Sequence, residues 1–239
     1  MEAKIIFSWI QVMFLLVSVF YAIIALAKLH HKKHKTPIMR LKRSVFAFLG
    51  FGIAALAVGY LVSNIYDIFG ISVFPSPADL LFIMGYISMA VGFGYFWYES
   101  SKLHTLHIRE PIFMTGVISG VFIWLYYLFV IFIIPKSAGL PLGVKTLNYL
   151  YPVLVSLIFI FTLVVHPRMK ASIIRTPLWY ISSGVFTYFI GYMIYTYSLW
   201  NVTQPFVPAV YSALYMLSAA YFCLGFYAAK RKYHIRSNR

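Results

Sequence analysis

Histidines and acids are the first residues in this sequence that could do chemistry. His104 and His107 are separated by two residues, so on a helix they lie on one face and could hold a transition metal, with Glu99 or His166 as a third ligand. The alternative is a solvated basic rim in which histidine, lysine and arginine are interchangeable. The run 31–34, HKKH, favours the rim, because neighbouring cations oppose a bound cation. We therefore expect no metal site, with His104 and His107 as the candidates if one exists.

Catalytic groups are not evident in the sequence. No serine, cysteine or carboxylate has a base partner at a plausible spacing, and no metal-hydrolase spacing occurs. The single cysteine, Cys223, lies in an apolar run and is expected to be packed rather than reactive. These observations predict a non-enzymatic protein without catalytic residues and without a cofactor.

Tyrosines and polar residues near the ends of apolar runs could instead bind a ligand. Tyr188, Tyr192 and Tyr195 recur at helical spacing and would share one face of a helix. An aromatic cavity with few polar groups suits an apolar or amphipathic ligand, such as a lipid or a quinone-like molecule. The alternative is an interfacial belt, in which tyrosine and tryptophan gather at headgroup depth. The predicted ligand-binding residues are Tyr60, Asn64, Asp67, Asp79, Tyr188, Tyr192, Tyr195 and Trp200.

Asp79 also has a purely structural interpretation. Ser76 stands where a helix N-cap belongs, Pro77 at the first helical position and Asp79 at the third. This is the capping-box arrangement with proline at the first position, and a carboxylate there is favoured by the helix dipole. We expect Asp79 to cap a helix, with a ligand-facing acid as the alternative.

Long apolar runs are the elements that must position these residues. The 239-residue chain is 62% hydrophobic and 20% aromatic but only 10% charged, whereas soluble domains are roughly a quarter charged. Seven runs are each close to the ~20 residues that cross ~30 Å of hydrocarbon. They cover about residues 5–27, 44–66, 78–98, 112–134, 147–165, 177–200 and 207–229. We expect an all-α polytopic membrane protein with seven transmembrane helices in one domain, residues 1–239.

The distribution of lysine and arginine predicts the orientation. Of the 20 such residues, all but Lys4, Lys136 and Lys145 fall in the first, third and fifth connections or after the seventh run. By the positive-inside rule, the N-terminus lies outside and the C-terminus in the cytoplasm, in the cell membrane. We read the formal net charge of +15 as a topology signal and not as a nucleic-acid footprint. It also predicts that the cytoplasmic face contacts anionic lipid.

A faint internal repeat runs through the same stretches. Gly59-Tyr60 is followed by Pro77-Ala78, and Gly191-Tyr192 is followed at nearly the same spacing by Pro208-Ala209. A parallel repeat of three helices, a linker helix and three helices would explain the match, and transporter folds use such repeats. Coincidence in an apolar chain is the alternative, and the sequence leaves both open.

The stretch Ile65 to Tyr86, IYDIFGISVFPSPADLLFIMGY, resembles a known pattern. The pattern Pro-Ser-x-Ala-Asp, then five intervening residues, then Gly-Tyr, is found in multi-helix membrane domains of archaeal and bacterial signalling proteins. There such domains precede histidine kinase, PAS or diguanylate cyclase modules. The resemblance implies a membrane sensor. Because no output module follows the seventh run here, it also implies a separate cytoplasmic signalling partner.

Three functions are compatible with these features. The first is a non-enzymatic sensory or regulatory membrane module that binds an apolar or amphipathic ligand. The second is a small facilitative transporter of a neutral solute, because all five acids lie at helix ends or in connections and ion coupling usually needs ionisable residues at mid-membrane. The third is a metal-dependent membrane enzyme.

Overall fold

The structure, a computed structural model, describes residues 2–31, 37–71, 74–102, 109–137, 139–169, 175–200 and 206–235, and every regular element in these ranges is helical. The helices are α1 (Glu2–His31), α2 (Pro37–Ile68), α3 (Pro77–Ser101), α4 (Arg109–Tyr127), α5 (Ile134–Ser137), α6 (Leu142–Met169), α7 (Arg175–Trp200) and α8 (Val207–Ile235). A π-helical turn, Leu128–Ile133, joins α4 to α5. The predicted all-α class is confirmed for these ranges.

Six helical stretches in the described ranges are long and apolar enough to cross a membrane. They are Lys4–His30, Arg40–Ile68, Pro77–Ser101, Ile112–Ser137, Leu142–His166 and Val207–Arg231. These stretches indicate a multi-pass membrane protein. Helix α7 has the length but falls short in hydropathy, because it carries five tyrosines together with several serines and threonines.

Six of the long helices form a closed ring. α1 packs against α2 and α8, α2 against α3, α3 against α6, α6 against α7, and α7 against α8. Helix α4 lies outside the ring and packs mainly against α6. The ring encloses an apolar core whose largest fully buried side chains include Phe46, Phe93, Phe96 and Phe226.

Contacts between helix ends show that successive long helices run in alternate directions. They join Ser8 to Asn64, Asp79 to Tyr151, Ser137 to Tyr149, and Tyr195 to Tyr211. Thus α1, α3, α6 and α8 all begin at one end of the bundle, which we call the upper end. The described basic residues of α2, α7 and the last turns of α8 lie at the opposite, lower end.

Glycines bring the helices of two hairpins, α2–α3 and α7–α8, into backbone contact. A Cβ atom added to Gly52 would lie 2.9 Å from the carbonyl oxygen of Gly85. One added to Gly225 would lie 3.0 Å from the carbonyl oxygen of Pro177. Because glycine has no side chain, the backbones approach closely, which is the main basis of helix packing in lipid.

Each of these hairpins also contains an interhelical hydrogen bond of the same type. Ser88 Oγ donates to the carbonyl oxygen of Phe48 at 2.7 Å, which joins α3 to α2. Ser218 Oγ donates to the carbonyl oxygen of Gly184 at 2.8 Å, which joins α8 to α7. The two hairpins are therefore held by the same kinds of contact.

The π-helical turn has a local cause in Pro135. Proline has no backbone N–H, and its ring collides with the carbonyl four residues earlier, that of Ile131. The helix widens just before it, and the N–H of Ile134 bonds to the carbonyl of Phe129, five residues back. The widened turn carries Ile133, which is buried and faces the interior of the bundle.

Candidate functional site

A cavity of about 510 Å³ lies inside the ring and opens at the upper end. Every helix of the ring contributes to its wall. The lining residues are Lys4, Ser8, Gln11, Tyr60, Ser63, Asn64, Asp67, Phe74, Phe82, Tyr86, Ile133, Asn148, Tyr151, Tyr188, Tyr192, Tyr195, Thr196, Leu199, Tyr211, Ser212 and Tyr215. A cavity of this size suits a ligand in the range of drug-sized molecules.

Tyrosine is the dominant residue of the wall. The rings pack on one another: those of Tyr188 and Tyr215 are 4.9 Å apart between centroids, and those of Tyr195 and Tyr211 are 5.3 Å apart. Tyr188, Tyr192, Tyr211 and Tyr215 are buried in the bundle. An interfacial belt would place such side chains against headgroups, so the belt interpretation does not fit these residues.

Three tyrosine hydroxyls form the floor of the cavity. The hydroxyl of Tyr188 is hydrogen-bonded to that of Tyr60 at 2.9 Å and to that of Tyr86, so α7 is joined to both α2 and α3. A small apolar void of about 10 Å³ lies beneath them, which is at the lower limit for a single water molecule. Tyr60 lies eight residues before the end of α2, or about 12 Å at 1.5 Å per residue, so the cavity ends well inside the bundle.

Asp79 lies outside the cavity and is hydrogen-bonded to a residue of its wall. Its Oδ2 accepts hydrogen bonds from the backbone N–H of Ser76 at 2.6 Å and from Ser76 Oγ at 2.9 Å. Its Oδ1 accepts one at 2.5 Å from the hydroxyl of Tyr151, which lines the cavity. The predicted capping of α3 by Asp79 is confirmed, with Pro77 at the first helical position. Asp79 itself is 7% exposed and does not line the cavity.

Asn64 has one satisfied and one unsatisfied amide atom. Its Oδ1 accepts a hydrogen bond from Ser8 Oγ at 2.6 Å, which ties α2 to α1. Its Nδ2 is buried and has no hydrogen-bond partner within the described part of the chain. The side chain is 6% exposed and lies in the cavity wall.

Charge is confined to the mouth of the cavity. Lys4 and Asp67 are the charged residues among those that line it, and both are exposed at the upper end. Deeper in the wall, the polar groups are hydroxyls and amides. The cavity can therefore accept an uncharged group at depth and tolerate charge at its rim.

The structure brings together six of the eight residues predicted to bind a ligand. Tyr60, Asn64, Asp67, Tyr188, Tyr192 and Tyr195 line the cavity. Asp79 does not line the cavity, but it accepts a hydrogen bond from Tyr151, which does. The side chain of Trp200, the last residue of α7, lies outside the described part of the structure. That these residues bind a ligand stays a prediction.

Several residues of the cavity wall were not among the predicted ligand-binding residues. For some of them, the sequence contains a pattern that could have identified them. Tyr211 and Tyr215 are four residues apart near the start of α8, the spacing that singled out Tyr188 and Tyr192. Tyr86 ends the Gly-Tyr pair of the signalling-domain pattern. Tyr151 had no such signal, because its partner Asp79 is distant in the sequence.

His104 and His107 lie outside the described residues. In the ranges that are described, no group of three histidine, cysteine, aspartate or glutamate residues could hold a metal ion. Glu99, one of the two residues suggested as a third ligand beside His166, accepts a hydrogen bond from Lys102 Nζ at 2.9 Å, and this bond raises the pKa of Lys102.

Comparison of the chain with protein-family models, with curated proteins and with solved structures found no match.

Proposed function

We propose that this protein is a non-enzymatic sensory or regulatory membrane module that binds an amphipathic ligand. The observation that carries the proposal is the tyrosine-lined cavity inside the ring, open at one end and closed by the hydroxyls of Tyr60, Tyr86 and Tyr188 at the other. Ligand sites are typically cavities of this size with a few placed polar groups.

In this proposal, α7 is a seventh transmembrane helix, although it is less apolar than the others. It lies in the ring between α6 and α8, and Tyr188 and Tyr192 turn into the cavity. On α7, tyrosines that line the cavity occupy positions where a helix facing only lipid or core would carry apolar residues, and this lowers its mean hydropathy. The modest hydropathy of α7 then reflects its place in the cavity wall.

The proposed orientation places the upper end outside the cell and the basic lower end in the cytoplasm, in accord with the positive-inside rule. A ligand would then enter from outside or from the outer leaflet. The lower end would face anionic lipid and a cytoplasmic signalling partner. The resemblance of residues 65–86 to sensor domains of signalling proteins supports the same role.

The hydrogen bonds of the floor suggest how binding would be transmitted. Tyr188 ties α7 to α2 and α3, so a ligand that displaces its hydroxyl would change the contacts of three helices at once. Those helices continue to the lower end. A signal of this kind requires that the ligand bind one arrangement of the helices better than the other.

A cavity-blocking variant tests the proposal. Ser212 is buried in the wall, so Ser212→Trp places an indole inside the cavity. Ser119→Trp on the exposed face of α4 is the matched control. We expect mass spectrometry of organic extracts to detect a bound molecule in the purified wild type and in Ser119→Trp, and to find it depleted at least tenfold in Ser212→Trp. Equal retention in all three proteins would contradict a ligand site in this cavity.

A facilitative transporter is the second candidate, and the paired hairpins favour it. The hairpins α2–α3 and α7–α8 are held by the same kinds of contact, through glycines and a serine-to-carbonyl hydrogen bond. Two similar halves around a cavity that is closed on one side are what an alternating-access carrier requires. Saturable uptake of a neutral solute into proteoliposomes, abolished by Ser212→Trp, would favour transport over sensing.

A further inference from the structure

We infer that the ligand of the tyrosine-lined cavity is an uncharged ring compound with an oxygen that accepts a hydrogen bond from Asn64 Nδ2. This inference rests on the proposed function, since it names the class of molecule that the same cavity would bind.

Asn64 Nδ2 is a buried donor with no hydrogen-bond acceptor in the described part of the chain. Buried polar groups in native proteins almost always have a hydrogen-bond partner, because an unsatisfied donor away from water is costly. Asn64 Nδ2 has none within the described ranges, although the side chain is only 6% exposed. A ligand oxygen in the cavity would supply the missing acceptor.

Ser8 determines which amide atom is left for the ligand. Its hydroxyl donates to Asn64 Oδ1 at 2.6 Å, so the carbonyl side of the amide is occupied and the NH₂ side is not. Since an amide nitrogen only donates, the group that satisfies it must be an acceptor. A carbonyl, ether or hydroxyl oxygen fits this requirement.

The wall below Asn64 restricts the rest of the ligand. Tyr60 lies one helical turn deeper on α2, where its hydroxyl is hydrogen-bonded to that of Tyr188 and its ring centroid is 6.4 Å from that of Tyr215. Flat aromatic faces favour a ring as their contact. A charged group at that depth would lose its hydration without gaining an ionic partner, because the charged lining residues, Lys4 and Asp67, lie at the mouth.

Two matched probes test the inference. 2-Acetylnaphthalene and 2-ethylnaphthalene share a fused ring and a two-carbon substituent, and only the first has a carbonyl oxygen. Binding to the full chain in lipid nanodiscs is measured by equilibrium dialysis against protein-free nanodiscs, which corrects for partition into lipid. We expect Asn64→Leu to raise the Kd of 2-acetylnaphthalene about five- to tenfold, the loss of one buried hydrogen bond, and to leave that of 2-ethylnaphthalene unchanged.

Ser8→Ala serves as a second variant if Asn64→Leu fails to fold. Without the Ser8 hydroxyl the amide is free to rotate, so the preference of the protein for the ketone should shrink. Ser119→Ala on the outer face of α4 should retain the wild-type preference. The inference is overturned if wild type binds both probes equally, or if Asn64→Leu weakens both alike.

The same experiment separates this inference from the proposed function. If neither probe binds to the wild type, but a natural molecule is retained by the wild type and lost in Ser212→Trp, the ligand class is wrong and the cavity is still a ligand site. If no molecule is retained and no probe binds, both the inference and the proposed function fail.

Discussion

Asp79 has two structural roles. It caps α3 together with Ser76 and Pro77, which are its close neighbours in the sequence. The second role of Asp79, as acceptor for the hydroxyl of Tyr151, depends on the packing of α3 against α6, its neighbour in the ring. No local pattern contains that information, because the two residues are far apart in the chain.

Asp79→Ala is therefore expected to destabilise the protein more than a lost cap alone. The change removes the acceptor for the N–H of Ser76 and leaves the Tyr151 hydroxyl with only the long contact, 3.5 Å, to the backbone carbonyl oxygen of residue 79. We expect a loss of about 2 to 4 kcal/mol, against about 1 kcal/mol for Ser76→Ala. Thermal unfolding in detergent micelles gives the order of the two variants.

The double variant Asp79→Ala/Tyr151→Phe is the control for this coupling. It removes the stranded hydroxyl, so its cost should be less than the sum of the two single changes. Strict additivity, or an Asp79→Ala variant no less stable than Ser76→Ala, would show that the bond to Tyr151 contributes nothing.

Helices as elements were largely predictable, because the hydrocarbon core dictates an apolar length. All seven predicted runs lie within helices or, for the fourth run, within α4, the π-helical turn and α5. The helices extend beyond the runs: α2 begins at Pro37 rather than at residue 44, and α8 continues to Ile235. An apolar run needs to be only as long as the hydrocarbon that it crosses. The helix itself can be longer, because its backbone hydrogen bonds continue into polar residues at either end.

Substitution of single glycines tests whether two helices pack closely against each other. An added methyl group at Gly52 would lie 2.6 Å from Met89 Cγ and 2.9 Å from the carbonyl oxygen of Gly85. At Gly120 of α4, no atom of the described residues lies within 4 Å of such a group, apart from its own chain neighbours and the adjacent turns of helix backbone. We expect Gly52→Ala to destabilise the protein by about 1 to 3 kcal/mol through overpacking.

The matched control is Gly120→Ala, which should be neutral or stabilising by up to about 1 kcal/mol, because alanine is the better helix former. Melting temperatures of the two purified variants decide the comparison. A Gly52→Ala protein as stable as the Gly120→Ala protein would mean that α2 and α3 do not meet at this glycine.

At the scale of the whole molecule, the order of helices in the ring was beyond prediction. The sequence indicates which stretches are apolar, but their hydrophobicity is nearly uniform around each helix, so it does not say which faces meet. The neighbours α1 and α8, for example, are the first and last of the helices that the structure describes. From the sequence, the cavity could be predicted only as a group of tyrosines and polar residues at the same end of several apolar runs. Its shape and its floor could not be predicted.

The proposed topology makes a definite prediction about the termini. Reporters fused after Lys32, His104 and Arg231 should indicate the cytoplasm, and a reporter after Lys136 should indicate the outside. The Arg231 fusion is the informative one, because a chain in which α7 does not cross the membrane would place it outside. The Lys32 fusion is the internal control for a correctly inserted chain.

The position of α4 outside the ring has a consequence for assembly. Helix α3 ends at the lower end and α6 begins at the upper end, so α4 and α5 return the chain and start the second three-helix half in the same direction as the first. The ring then resembles a dimer of two parallel subunits joined by a tether. A tether raises the effective concentration of each half for the other. Closure of the ring thus becomes a unimolecular step, which does not depend on how densely the protein populates its membrane.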